Sequence, residues 1–175
     1  MRVGIVSQYV VMTVDRGGIF MKAMYDVYQV ANWFLKQESL SPKKLQKLVY
    51  YAYSWTLVLL NESENSLTNK LFDERIEAWA HGPVIPELYD KYKCYGWEDI
   101  PQEEINENVH FCDDVQEILD QILTVYGGFS ANQLESITHQ ESPWIKARIG
   151  LLPGESGNVQ IDDEEIFNCY SKRLS

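Results

Sequence analysis

The side chains of this 175-residue sequence best suited to acid–base, nucleophilic or metal chemistry are three histidines, His81, His110 and His139, and three cysteines, Cys94, Cys112 and Cys169. His110 and Cys112 form the tightest pair of metal-capable groups, yet no further ligand follows at a zinc spacing. The sequence therefore predicts no metal site, and Cys112 reads as a small buried hydrophobe. Ser142 lies close to His139, but neither it nor any cysteine sits in a strand-turn-helix frame that activates a nucleophile. The sequence has no phosphate-cradling glycine motif and no His-Glu-x-x-His, so no cofactor is expected. An enzyme would need long-range folding to build a pocket in which His81 or His139 serves as acid or base.

Two short constellations stand apart: Ala78-Trp79-Ala80-His81-Gly82-Pro83-Val84 with Tyr89 downstream, and Thr138-His139-Gln140-Glu141-Ser142-Pro143-Trp144. Each joins a large aromatic to a turn former and a polar donor. Aromatic anchors dominate protein–protein hot spots, so Trp79, His81 and Tyr89 beside a rigid Gly-Pro turn would make an amphipathic docking surface. The same rings would also serve as core residues clamping a tight turn, with His139 capping carbonyls at a helix end. For Trp79 and Trp144 the core reading is favoured; His81 and His139 stay open between the two.

The elements that must position these residues are mostly helices. Val27, Val30, Ala31, Phe34 and Leu35 recur at helical spacing, and Ser41-Pro42 caps and opens a second helix reaching about Leu60. Leu45, Leu48, Val49, Ala52, Trp55, Thr56 and Leu59 point inward along it, and its aromatic content marks a central element with little free surface. After the polar 61–70 connection, Leu71-Phe72 and Arg75 to Ala80 alternate as short strands, and Gly82-Pro83 turns the chain. Pro86 then opens a short helix carrying Leu88, Tyr89 and Tyr92. Asp113 or Asp114 caps a fourth helix that Gly127-Gly128 closes, and Ser130 with Gln133 forms a capping box for a fifth. A turn of helix follows at Ser142 to Arg148, then a loop from Gly150 to Asn158 and a last helix with Ile166, Phe167, Tyr170 and Leu174. The expected fold class is mainly α: a compact, single-domain, bundle-like fold with short β-segments around residues 71–80.

All four methionines lie at or before Met24, and Arg16-Gly17-Gly18 can be encoded by a purine-rich ribosome-binding sequence at a workable distance from Met21. Residues 1–20 are thus expected to be a translated upstream extension, with one domain over 21–175. The alternative is a strand at Val3–Val6 or Tyr9–Val14 that pairs with the domain.

A net charge of −11 opposes phosphate backbones and anionic lipid, so neither nucleic acid nor a membrane is an expected partner. The odd cysteine count without Cys-x-x-Cys suits a reducing compartment, no apolar run is long enough for a membrane span, and no signal peptide is evident; the expectation is cytoplasmic. Residues 98–145 carry eleven acids and no Lys or Arg, either a solvated face or a face for a basic partner.

Three separated blocks resemble the Panacea-domain family of SocA-like antitoxins and GepA-like phage-associated proteins. They are Leu45-Gln46-Lys47-Leu48-Val49-Tyr50, then Glu77-Ala78-Trp79 with Gly82-Pro83-Val84 and Tyr89, then Thr138-His139 with Pro143-Trp144. The resemblance spans about residues 26–148. It implies a mostly helical, non-enzymatic domain that neutralises a cognate protein toxin, usually encoded by a neighbouring gene, by direct contact. A second mode in the family is an adaptor that delivers its toxin to a ClpXP-type protease. No catalytic set carries over, so Gln46, Lys47, Trp79, His81, Gly82, Pro83, Val84, Tyr89, Thr138, His139, Pro143 and Trp144 enter as signature and candidate partner-binding residues.

Overall fold

In order along the chain, the elements are β1 (Met12–Asp15), β2 (Gly18–Met21), α1 (Val27–Gln37), α2 (Pro42–Leu59), β3 (Glu77–Trp79), β4 (Gly82–Val84), α3 (Pro86–Tyr92), α4 (Asp113–Tyr126), α5 (Ala131–Thr138), α6 (Ser142–Ala147) and α7 (Asp163–Ser171). They come from a computed structural model that describes residues 12–15, 18–21, 23–102 and 109–174, the first two stretches for their backbone alone. The fold is mainly helical, as expected. Among the described residues, no helix is long and apolar enough to cross a membrane.

Helix α2 is the axle. Ser41 Oγ accepts from the Lys44 N–H and Pro42 occupies the first turn, where its missing N–H is not needed. The helix is touched by α1, α3, α4, α5, α7 and β4, so nearly its whole circumference is buried, including Tyr50, Tyr51, Leu57 and the polar Gln46, Lys47, Ser54 and Thr56. Leu59 departs from the sequence reading: it sits in the last turn, beyond the surrounding helices, and is exposed. Helix α6 packs on α7.

The strands differ from expectation in place. Leu71 and Phe72 are buried core residues outside any strand, and the sheet is the hairpin β3–β4 in the register Glu77↔Val84, Ala78↔Pro83, Trp79↔Gly82. The chain therefore reverses at Ala80-His81, while Gly82-Pro83, expected to be the turn, begin the return strand. Pro83 is tolerated because β4 is an edge strand with no neighbour needing its N–H. The other edge of β3 is covered by the chain near Gln160: the Ala78 N–H donates to Val159 O at 2.8 Å and Ile161 N–H to Ile76 O at 2.8 Å.

Smaller shifts have local causes. Cys112, not Asp113 or Asp114, is the N-cap of α4; the two aspartates occupy the first turn, where they favour the positive helix end. Cys112 is accordingly exposed rather than buried. Tyr89 faces outward from α3, and Leu174 lies exposed beyond the end of α7.

Strands β1 and β2 pair with each other, Met12↔Met21 to Asp15↔Gly18. The other N-terminal strand considered, Val3–Val6, lies outside the described residues. Among the described residues, Ala23 N–H donates to Asp73 Oδ2, Met24 N–H to Lys70 O and Tyr25 N–H to Leu71 O, anchors that a chain beginning at Met21 keeps. A chain beginning at Met21 is therefore expected to melt within about 2 °C of the full chain, a small effect for a domain of this length. A larger drop in a calorimetric scan would make the hairpin part of the fold.

Candidate functional site

The sequence blocks meet around the β3–β4 hairpin. Its floor is α2. Gln46 acts as a surrogate strand, its Nε2 donating to Ile85 O at 3.0 Å while its Oε1 accepts from Ile85 N–H at 2.8 Å. One residue on, Lys47 is 1% exposed and donates from Nζ to Pro83 O at 2.9 Å. Burial lowers its ammonium to about 7, with Lys43 adding to the effect and Glu135 opposing it. Both side chains satisfy backbone groups at the end of β4, which explains polar residues inside an otherwise apolar helix.

Gly82 makes this approach achievable. Its φ is +98°, and a Cβ there would lie 2.8 Å from Lys47 Cε and 2.9 Å from Thr138 Oγ1. Thr138 is buried at the end of α5, its hydroxyl donating to Glu135 O at 2.8 Å. Gly82, Pro83, Val84 and Thr138 are thus the packed frame of the site, and Pro143 at the start of α6 is also buried.

The rings lie nearer the surface than the core reading of Trp79 and Trp144 implied, since both are half-buried. Trp79 donates from Nε1 to Glu77 Oε2 at 2.8 Å and meets the exposed Tyr89 edge-to-face with centroids 4.9 Å apart. Trp144 donates to Trp79 O at 2.9 Å. His139 stacks on the Trp144 ring at 3.9 Å, and the Arg148 guanidinium lies 5.2 Å from that ring. Arg148 itself is buried and donates to Ala78 O and Glu155 O.

His81, at the tip of the hairpin, is 79% exposed, and its Nδ1 lies 3.0 Å from Glu135 Oε1. Glu135 also pairs with Lys43, and His139 Nε2 stands 4.0 Å away from the same carboxylate. Partial burial raises the Glu135 carboxyl, but the hydrogen bonds and charges of Lys43 and His81 outweigh it and hold the group below its usual range. Burial lowers the His139 imidazole; Glu135 opposes, while Lys47, His81 and Arg148 push the same way as burial. Of the two readings left open for His139, ring capping of carbonyls is not what closes α5: its backbone N–H does so on Glu135 O.

Glu141 escaped sequence reasoning, which counted it among surface acids. It is buried and accepts hydrogen bonds from Tyr170 at 2.7 Å, Tyr51 at 3.4 Å and Arg173 at 3.0 Å. Burial raises its carboxyl above the usual range, against the pull of Tyr170 and Arg173. Glu135 and Glu141 therefore leave the acidic run, whose described remainder includes a ridge of Asp113, Glu117 and Asp120 along the outside of α4.

Cavities of about 360, 560 and 490 Å³ lie along α4, between α1 and Lys91, and beside the start of α7, and none is lined by His81 or His139. Among the described residues, no three His, Cys, Asp or Glu side chains are grouped to hold a metal ion. These features define a mainly helical domain wrapped around one buried helix, with aromatic and basic side chains gathered at an exposed hairpin. Residues 45–145 match the family described as antitoxin SocA-like, Panacea domain. Antitoxin SocA of Caulobacter vibrioides (strain NA1000 / CB15N) is 30% identical over 135 residues, covering 68% of this chain and 68% of the relative. The chain belongs to this family of SocA-like antitoxins. No solved structure matches it at a significant level.

Proposed function

We propose that the chain is an antitoxin that neutralises a cognate protein toxin, encoded by a neighbouring gene, through direct contact at the β3–β4 hairpin. The carrying observation is convergence: residues from α2, the hairpin, α3, α5 and α6 meet on one surface. Gln46, Lys47, Gly82 and Thr138 form its buried frame, and His81, Tyr89, Trp79 and Trp144 form its accessible part. Family membership supports the antitoxin role. Half-exposed aromatic rings beside an exposed polar tip have the composition of an interaction hot spot.

His81→Ala is the first test. The side chain is exposed and makes one polar contact, so stability is expected to change by no more than about 0.5 kcal/mol in urea unfolding. Co-expression with the neighbouring toxin is expected to show weakened growth rescue. Full rescue by the folded variant would remove His81 both as a contact and as an acid–base group. Toxin half-life separates the two modes: a toxin that persists in a stable complex supports direct inhibition, whereas loss dependent on ClpXP assigns an adaptor.

A further inference from the structure

Helix α6 carries the underside of the hairpin. Trp144 donates to Trp79 O at 2.9 Å, and Arg148, directly past the helix, donates to Ala78 O at 3.0 Å, so two consecutive carbonyls of β3 rest on it. Yet α6 holds to the core with little apolar area: of its residues, Pro143 alone is buried. The Lys146–Glu165 pair ties it to α7 at the surface, where such pairs contribute little. The stronger anchor is Glu141, the N-cap. Its carboxylate makes no bond to the first turn of its own helix, the usual duty of an acceptor there. Instead Oε2 accepts from Tyr170, and Oε1 from Tyr51 and Arg173, so one carboxylate joins α2 and α7 to the start of α6. It is buried, whereas Arg173 is 37% exposed, its guanidinium 4.6 Å from the Tyr170 ring centroid. A buried charge that loses its counter-ion is far more costly than a lost surface contact, so the placement of Glu141 depends on Arg173.

We propose that Glu141 and Arg173 are positioning residues of the hairpin surface: their ion pair sets the start of α6, and α6 holds the hairpin through the carbonyls of Ala78 and Trp79. What this surface does rests on the toxin-contact reading; the positioning is a property of the free chain. The pair acts on rings it does not touch, since Trp144 stacks with His139 and Trp79 meets Tyr89. Opening it frees Trp144 and the hairpin while α2 keeps its place, because α1, α3 and α4 hold that helix on its other sides.

The test is hydrogen exchange of the Trp144 indole N–H in the full chain, read as a ratio to backbone amides in the middle of α2, which report global opening. Arg173→Met is expected to raise that ratio at least about tenfold. Lys70→Met is the matched control: Lys70 is also 37% exposed and pairs with Asp163, at the opposite end of α7 from Arg173, and its loss is expected to leave the ratio unchanged. Glu141→Gln keeps an acceptor for Tyr170 and removes the charge. In that background Arg173→Met is expected to change the ratio by less than about twofold, as for two residues acting as one unit. Growth rescue from the neighbouring toxin is expected to weaken in Arg173→Met and to hold in Lys70→Met. An unchanged ratio in Arg173→Met, an equal effect of Lys70→Met, or an undiminished effect of Arg173→Met beside Glu141→Gln would overturn the proposal. So would full rescue by an Arg173→Met chain whose indole exchange has accelerated. Failure of the wild-type chain to rescue growth from any neighbouring toxin would instead remove the toxin-contact reading, and the exchange ratios would still decide the positioning.

Discussion

Gly82→Val is expected to cost at least about 4 kcal/mol and to lower the melting temperature by roughly 10 °C or more, because two penalties act at one position. The backbone there has φ +98°, which a β-branched residue adopts only with strain. The new Cβ would also collide with Lys47 Cε at 2.8 Å, Lys47 Nζ at 2.9 Å and Thr138 Oγ1 at 2.9 Å. Neither neighbour can yield cheaply: Lys47 is enclosed and donates to Pro83 O, and Thr138 is buried and donates to Glu135 O. Displacing them would separate α2, β4 and α5 at the point where they meet. Gly96 supplies the comparison, since its φ is +60° but nothing lies within 4 Å of its absent Cβ. Gly96→Ala should therefore show backbone strain alone, on the order of 1 kcal/mol. Urea unfolding of both variants separates the effects, and a Gly82→Val loss no larger than that of Gly96→Ala would mean that the packing of Lys47 and Thr138 against the hairpin is not what stabilises it.

Signals contained within one turn of chain were legible in the sequence. Ser41-Pro42 and the Ser130/Gln133 box sit where capping chemistry places them, because a cap satisfies N–H groups two or three residues away. The hairpin was displaced in the sequence reading because Gly82-Pro83 resembles a turn locally, whereas the pairing of Gly82 with Trp79 assigns the reversal to Ala80-His81. Periodicity also misjudged polar residues that face inward. Gln46 and Lys47 find their acceptors at Ile85 and Pro83, and Glu141 finds Tyr51 on α2 and Arg173 just past the end of α7. A pattern that scores polarity as exposure has no access to such distant partners. The family blocks did mark this region: the resemblance over about residues 26–148 encloses the matched span 45–145.

Lys47 should leave a pH signature on stability. Its ammonium titrates near 10.5 when unburied and is lowered to about 7 by burial, so between those values the unfolded chain binds a proton that the folded chain does not. Stability is therefore expected to be lowest, on this account, at and below about pH 7, where the buried charge is present. It should climb as pH rises toward 10, by roughly 1.4 kcal/mol per pH unit and on the order of 5 kcal/mol over the whole window. A buried carboxyl and three buried phenols act with the opposite sign but elsewhere. Glu141, raised by burial, weakens the fold as pH rises out of the ordinary carboxylate range. Tyr50, Tyr51 and Tyr53, pushed up by burial, do so above about pH 10, where phenols of the unfolded chain ionise. The window from pH 7 to 9.5 isolates Lys47. Lys47→Met keeps the unbranched apolar stem, gives up the hydrogen bond to Pro83 O and removes the titrating group. Urea unfolding across this window is expected to show wild-type stability rising relative to the methionine variant by about 2–3 kcal/mol. A wild-type-minus-variant difference independent of pH would show that the ammonium keeps its proton in the folded chain.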